Sequence, residues 1–268
     1  MSNEERTDSP ASSFAALSAG LADAVQAAAG GVLGVEADGH PRSAVAWSDT
    51  LAVTTAAGLT PETHLALVLP DGAEATAELV GVDPRLDLAL LRVADAALSP
   101  LPPSTTPARP GALVLTLGRS VRGLSATLGI VQNAGPAWTT GSGADVAAWI
   151  SVDASLPASS AGGALLDADG HLIGLNTPSL VPGGTTLPVS TVAAAVAHIE
   201  AHGSVQPGLL GVRVRAVAVP PDIAAAEGVS KALLVIGVPG GGAAARAGIE
   251  TGDVLLKVDG QVVGGLSD

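Results

Sequence analysis

The chain has 268 residues, 34 glycines, 19 prolines, no cysteine and a formal net charge of −13. This acidic balance argues against a nucleic-acid partner and against an anionic membrane surface, because both require clustered Lys and Arg. The lack of cysteine excludes disulfide bonds and thiolate metal sites, and the apolar content of 47% with 1% aromatic residues predicts a core of Ala, Val, Leu and Ile.

The amino-terminal segment begins with two glutamates and has no basic start. Because a secretory signal has a basic start and an uninterrupted apolar run, we expect a cytoplasmic protein whose residues 1–16 are disordered. Residues 14–35 are apolar but interrupted by Asp23 and two glycines, which makes them too polar to span a membrane. Leu17, Leu21 and Val25 recur at helical spacing and predict an amphipathic helix in this stretch.

Alternating apolar residues predict a mainly β protein. Leu65 and Leu67 alternate before a Pro-Asp-Gly turn, and Ala75 and Ala77 alternate after it, which is typical of a hairpin. Further strands are expected at 111–117, 125–131 and 147–152, and at 165–166 and 172–175 around a turn at 167–170.

One helix is expected near residue 200. Val192, Val196 and Ile199 fall on one helical face, Ser190 is a suitable N-cap, and Gly203 is a suitable end. Residues 204–207 then read as a linker.

Three segments carry a recognisable pattern: residues 52–59 (AVTTAAGL), residues 83–93 (DPRLDLALLRV) and residues 159–177 (SSAGGALLDADGHLIGLNT). In this order they resemble the three catalytic motifs of HtrA/Deg-type, trypsin-like serine proteases, whose triad runs His, Asp, Ser along the chain. The resemblance puts Ala57 at the histidine, Asp87 at the aspartate and Ala161 at the serine. The separations of 30 residues and then 74 residues also suit that family.

The resemblance implies a trypsin-like double β-barrel that has lost its catalytic groups. A methyl group at Ala161 cannot attack a carbonyl, and a methyl group at Ala57 cannot accept a proton. The backbone N–H groups of Ser159 and Ala161 would form the oxyanion hole, although a serine in place of the family's glycine resists a positive φ. No intact catalytic residue, cofactor or metal is therefore expected.

A second resemblance covers the end of the chain. Residues 208–212 (Gly208, Leu209, Leu210, Gly211 and Val212) resemble the peptide-binding loop of a PDZ domain, and residues 238–260 resemble its core motif. We expect a protease-like domain at 17–203, a linker at 204–207 and a PDZ domain at 208–268 that is incomplete at its carboxyl end. A missing helix would leave Val235, Val254 and Leu256 partly uncovered.

The resulting hypothesis is an inactive bacterial protease homologue in protein quality control that binds peptides or unfolded segments. It would act alone or in a homo- or hetero-oligomer with active relatives. The resemblance also implies a possible periplasmic location. Two alternatives stay open: an active endopeptidase with a rearranged site that uses Ser159 or Ser160, and a structural remnant without a ligand.

Among the five histidines, His198 and His202 form an i, i+4 pair that could bind a metal, but a solvated helix face is the more ordinary interpretation.

Overall fold

The computed structural model describes residues 10–94, 96–154, 160–205, 210–240, 242–258 and 260–263. The chain forms two compact units, one of residues 1–140 and 144–205 and the other of residues 141–143 and 206–268. Strands dominate the first unit, which contains all the segments with protease-like motifs.

The first helix, α1, spans Pro10–Ala28 and is followed by a 3₁₀ turn at Ala29–Gly31. It begins inside the segment that we expected to be disordered. It also ends earlier than predicted, because residues 32–35 belong to strand β1, Val32–Ala37. Val32 and Leu33 are both fully buried, so this strand is apolar on both faces. A run of this kind cannot be distinguished from a buried helix by periodicity alone.

Six strands close into a barrel in the order β1-β2-β3-β6-β5-β4. Together with β1, they are β2 His40–Ala46, β3 Leu51–Thr54, β4 Leu65–Val68, β5 Glu74–Asp83 and β6 Leu88–Val93. The predicted hairpin is confirmed, since β4 pairs antiparallel with β5 and Leu65 lies opposite Ala77. Fully buried leucines such as Leu33, Leu67 and Leu91 pack in one core cluster of this barrel.

A second sheet of six strands has the order β11-β8-β7-β12-β13-β14. Its strands are β7 Leu113–Ser120, β8 Gly123–Gly135, β11 Trp149–Val152, β12 Ala164–Leu166, β13 Leu172–Thr177 and β14 Thr185–Pro188. A small hairpin of β9 Trp138–Thr139 and β10 Asp145–Val146 lies between β8 and β11 in the chain. The indole rings of Trp138 and Trp149 pack edge to face, with centroids 5.1 Å apart. The strands predicted from residue 111 onward are all present, with shifted ends.

Helix α2, Val189–His202, closes the first unit. Val192, Val196 and Ile199 are buried in the core as predicted. Gly203 ends the helix with φ 76°, and its N–H donates to the Ile199 carbonyl at 2.8 Å. The predicted cap is wrong: Pro188 precedes the first helical residue, so Ser190 lies within the first turn, and no side chain caps this end.

The second unit contains a three-stranded sheet of β15 Arg213–Ala218, β16 Lys231–Gly237 and β17 Val254–Leu255, with β16 in the centre. The other elements are helices α3 Pro221–Glu227 and α4 Ala243–Arg246 and a small hairpin of β18 Lys257–Val258 and β19 Gln261–Val262. Val254 is 47% exposed and Leu256 is half-buried, as expected. Val235 is buried instead, because it lies on the central strand.

Candidate functional site

Asp87 lies in a tight turn between β5 and β6, and its side chain is buried. Its φ of 51° is in the left-handed region, which Asp tolerates better than most residues. The turn is supported by Asp83, a buried carboxylate that accepts two side-chain hydrogen bonds from Arg85, at 3.0 and 2.9 Å. The Asp83 hydrogen bond raises the pKa of the Arg85 guanidinium. This rigid turn fixes the direction in which the Asp87 carboxylate points.

Both carboxylate oxygens of Asp87 have donors. Oδ1 accepts the backbone N–H of Ala57 at 2.8 Å, and Oδ2 accepts the hydroxyl of Ser179 at 2.5 Å. The neighbouring Thr54 hydroxyl on β3 donates to the Ser43 carbonyl at 2.6 Å. The carboxylate therefore stays bonded although no imidazole is present.

Arg42 contacts the position equivalent to the histidine from strand β2. Its Nη1 donates to the Ala57 carbonyl at 2.8 Å and to the Thr55 carbonyl at 3.1 Å. Burial lowers the pKa of this guanidinium, and the negative charge of Asp87 opposes that change. Arg42 and Ser179 were both missed by the sequence analysis, because each lies far along the chain from the motif residue that it contacts.

The loop that carries Ala161 is held tightly from three sides. The Ala161 carbonyl accepts the N–H of Ser43 at 2.8 Å, and Gly162 donates to the Asn176 carbonyl at 2.8 Å. Gly162 has φ 77°, and an added Cβ would lie 2.6 Å from Thr54 Oγ1 and even closer to the Ser43 carbonyl oxygen. This glycine is therefore required by the close approach of neighbouring strands.

These contacts involve the three positions that the sequence resemblance predicts for a catalytic triad. Ala57 bonds directly to Asp87, and Ala161 bonds to Ser43, the neighbour of Arg42. Ser159, the other expected member of the oxyanion hole, lies outside the described residues. The described contacts thus bring a guanidinium and an anchored carboxylate to Ala57, one of the three positions that the sequence resemblance predicts for a catalytic triad.

Two groups of side chains could be considered for a metal. Ligand atoms of Asp167, Asp169 and His171 lie within 4.8 Å of one another in the turn between β12 and β13, but Asp167 is already bonded by the Ser104 hydroxyl at 2.6 Å. His198 and His202 stack on the exposed face of α2, with ring centroids 4.7 Å apart. A surface cluster of this kind does not by itself define a site.

No helix among the described residues is long and apolar enough to cross a membrane.

In the second unit, the predicted peptide-binding loop is described only from Leu210 onward, so Gly208 and Leu209 lie outside the described residues. The Leu210 carbonyl accepts the N–H of Ala244 from α4 at 2.7 Å, and Gly211 has φ 74°. Leu210 is 39% exposed, while Gly211 and Val212 are half-buried. The loop leads directly into β15, which lies at an edge of its sheet.

The closed barrel and the second six-stranded sheet together are the architecture of a trypsin-like fold. Residues 42–175 match the trypsin-like peptidase domain family. The chain therefore belongs to the trypsin-like peptidase family.

Similar proteins are HtrA-type serine proteases. The chain is 32% identical over 231 residues to a probable periplasmic serine endoprotease, DegP-like, of Bartonella henselae, covering 82% of this chain and 45% of that protein. It is 31% identical to the periplasmic pH-dependent serine endoprotease DegQ of Escherichia coli, covering 74% of this chain and 45% of the relative. A solved structure of the HtrA-type protease AlgW with a decapeptide superposes with a TM-score of 0.61 at 28% identity, covering 92% of this chain and 88% of that one.

The chain spans less than half the length of the two curated relatives. Both relatives are named as periplasmic, so they do not support the cytoplasmic location that we expected from the start of the sequence.

Proposed function

We propose that this protein is a catalytically inactive HtrA-type protease homologue that acts by binding peptides or unfolded protein segments. The observation that carries the proposal is the pair Ala57 and Ala161, at the positions of the base and the nucleophile. Neither methyl group can transfer a proton or form an acyl intermediate. The anchoring of Asp87 by Ala57 and Ser179 supports a carboxylate that has a structural role instead.

A rearranged site is the alternative that the proposal must exclude. Ser160 is the described serine next to Ala161, but it is only 3% exposed, and its backbone and Cβ lie against Gly118 of β7. A nucleophile needs access to the substrate and a base within hydrogen-bonding reach. The burial of Ser160 therefore favours loss of catalysis over a shift of the nucleophile to this residue.

We expect purified protein to hydrolyse neither unfolded casein nor peptide esters above background, and to resist labelling by a fluorophosphonate. Loss of a triad serine or histidine costs about 10⁶ in kcat, and both positions are alanine here. The Ser159→Ala and Ser160→Ala variants, with Ser99→Ala as an exposed-serine control, test the two serines that could act as a shifted nucleophile. The protein would be an active enzyme if it is labelled and if either Ser159→Ala or Ser160→Ala abolishes the labelling while Ser99→Ala does not.

The second unit is proposed to bind the peptide as a PDZ-like module. An extended peptide can add to the free edge of a sheet, and β15 is an edge strand that follows the loop at 208–212. The exposed Leu210 lies just before that strand in the chain and offers an apolar contact.

Titration of labelled carboxyl-terminal peptides tests this module. Binding that Leu210→Asp weakens at least about tenfold, with Ile223→Asp as an equally exposed apolar control on α3, would support it. No binding of any peptide would favour a remnant without a ligand. Assembly with active relatives in a mixed oligomer remains a prediction that co-purification would test. Location in the cytoplasm or the periplasm remains a prediction that cell fractionation would test.

A further inference from the structure

The guanidinium of Arg42 is fixed beside the position equivalent to the histidine. A single nitrogen, Nη1, donates to the carbonyls of Ala57 and Thr55 at 2.8 and 3.1 Å. These carbonyls lie on either side of Ala56, so the charge is held against the backbone that would carry a catalytic base. Because guanidinium groups stay protonated throughout the accessible pH range, the positive charge here is permanent.

Asp87 lies on the other side of Ala57. Its Oδ1 accepts the Ala57 N–H, while the Ala57 carbonyl accepts from Arg42, so one residue separates the two charged groups. The negative charge of Asp87 favours the charged form of Arg42 and partly offsets the cost of its burial. In an active protease, the group that balances this carboxylate during the reaction is the protonated histidine.

We propose that Arg42 supplies a permanent positive charge beside the position at which a histidine would be protonated, and that this charge disfavours catalysis in addition to the effects of Ala57 and Ala161. This inference rests on the proposed loss of catalysis, and it adds Arg42 to Ala57 and Ala161 as a reason for that loss. A general base must gain a proton in the transition state, and a fixed positive charge nearby opposes that gain. Restoring the histidine and the serine alone would leave this repulsion in place.

An imidazole introduced by Ala57→His reports the local charge directly. Its pKa, followed by NMR, is expected to be about one pH unit higher in Arg42→Gln/Ala57→His than in Ala57→His alone, because a nearby like charge has been removed. Arg42→Lys/Ala57→His, which keeps the charge, is expected to retain a lowered value. Arg92→Gln/Ala57→His is the matched control, because Arg92 is exposed on β6 and carries the same charge. Equal titration with and without Arg42 would overturn the proposal.

A second measurement uses reactivity. At a pH where the imidazole is unprotonated, the variant Ala57→His/Ala161→Ser is expected to react with a fluorophosphonate more slowly, by up to about tenfold, than the same variant carrying Arg42→Gln, since one pH unit in basicity corresponds to at most a factor of ten in rate. Equal, measurable rates would contradict the proposal. If neither variant reacts, the titration alone decides. Hydrolysis by the unmodified protein would refute the proposed loss of catalysis without changing the titration result, so the two failures are distinguishable.

Discussion

At the scale of single residues, both carboxylate oxygens of Asp87 have hydrogen-bond donors, and neither donor is an imidazole. Its carboxylate is buried, its φ is 51°, and it accepts one backbone and one hydroxyl donor. A buried carboxylate with two donors stabilises the turn in the same way as an Asn or Asp that caps a loop. These contacts are sufficient to give Asp87 a structural role in the turn.

We expect Asp87→Ala to lower the free energy of unfolding by about 2–4 kcal/mol and Asp87→Asn by only about 1 kcal/mol. Alanine leaves the Ala57 N–H and the Ser179 hydroxyl without an acceptor and disfavours the positive φ, whereas asparagine keeps one acceptor and tolerates that φ. Urea unfolding, monitored by circular dichroism, measures the free energy of unfolding of both variants. Equal losses for the two variants would show that the charge itself is required.

The loop at Ala161 gives a second residue-scale prediction. Gly162→Ala is expected to cost roughly 3 kcal/mol or more, because the new methyl group meets the Ser43 carbonyl and Thr54 Oγ1. Gly58→Ala is the control: Gly58 has φ 75°, close to the 77° of Gly162, but an added Cβ has no atom within 4 Å. The control should cost only about 1 kcal/mol in the same calorimetric experiment. Similar losses would mean that backbone conformation alone, rather than crowding, requires glycine at 162.

At the scale of elements, Arg119 of β7 connects the second sheet to the segment that follows α1. Its side chain is almost fully buried and donates to the carbonyls of Val32, Ala29 and Pro70 at 2.6, 2.8 and 3.4 Å. Desolvation lowers the pKa of this guanidinium. A buried cation bonded to three carbonyls fixes the end of the helix relative to the barrel.

Arg119→Met is expected to destabilise the first unit by about 2–3 kcal/mol, since it leaves buried carbonyls without donors. Arg119→Lys is expected to lie between the wild type and Met, because an ammonium cannot reach three separate acceptors in the same fork geometry. Amide hydrogen exchange should show the largest increase at residues 28–33. A uniform increase across both sheets would contradict a local connection.

The elements were more predictable than their ends. The hairpin of β4 and β5 was evident because polar and apolar residues alternate and a Pro-Asp-Gly turn separates them. The end of α1 was not evident from the sequence, because Val32 and Leu33 are apolar residues of a strand that is buried on both faces. The helix cap was assigned to Ser190 from residue type alone, although Pro188 and Val189 set the start of α2.

The site was predictable only where its residues lie in local motifs. Ala57, Asp87 and Ala161 each stand within a recognisable segment. Arg42 and Ser179 reach the site through tertiary pairing, the former from β2 and the latter from the segment after β13. No periodicity or spacing in the chain relates them to the residues that they contact.

At the scale of the whole molecule, composition and fold agree. The first unit packs its core with Ala, Val, Leu and Ile, and short side chains fill both its closed barrel and its second sheet. Many small residues bury less apolar area each than aromatic residues do, so the core depends on numerous close contacts. This is consistent with the close glycine approaches at Gly162 and Gly163, where a Cβ would meet neighbouring backbone.

The edge-to-face pair of Trp138 and Trp149 has a spectroscopic consequence. The chain contains three tryptophans and no tyrosine, and all three, including Trp47, belong to the first unit. Near-ultraviolet absorbance and intrinsic fluorescence therefore originate in the protease-like unit, and the second unit is silent at those wavelengths. An emission signal followed during unfolding would report the first unit by itself, and a single tryptophan introduced into the second unit would make each half separately visible.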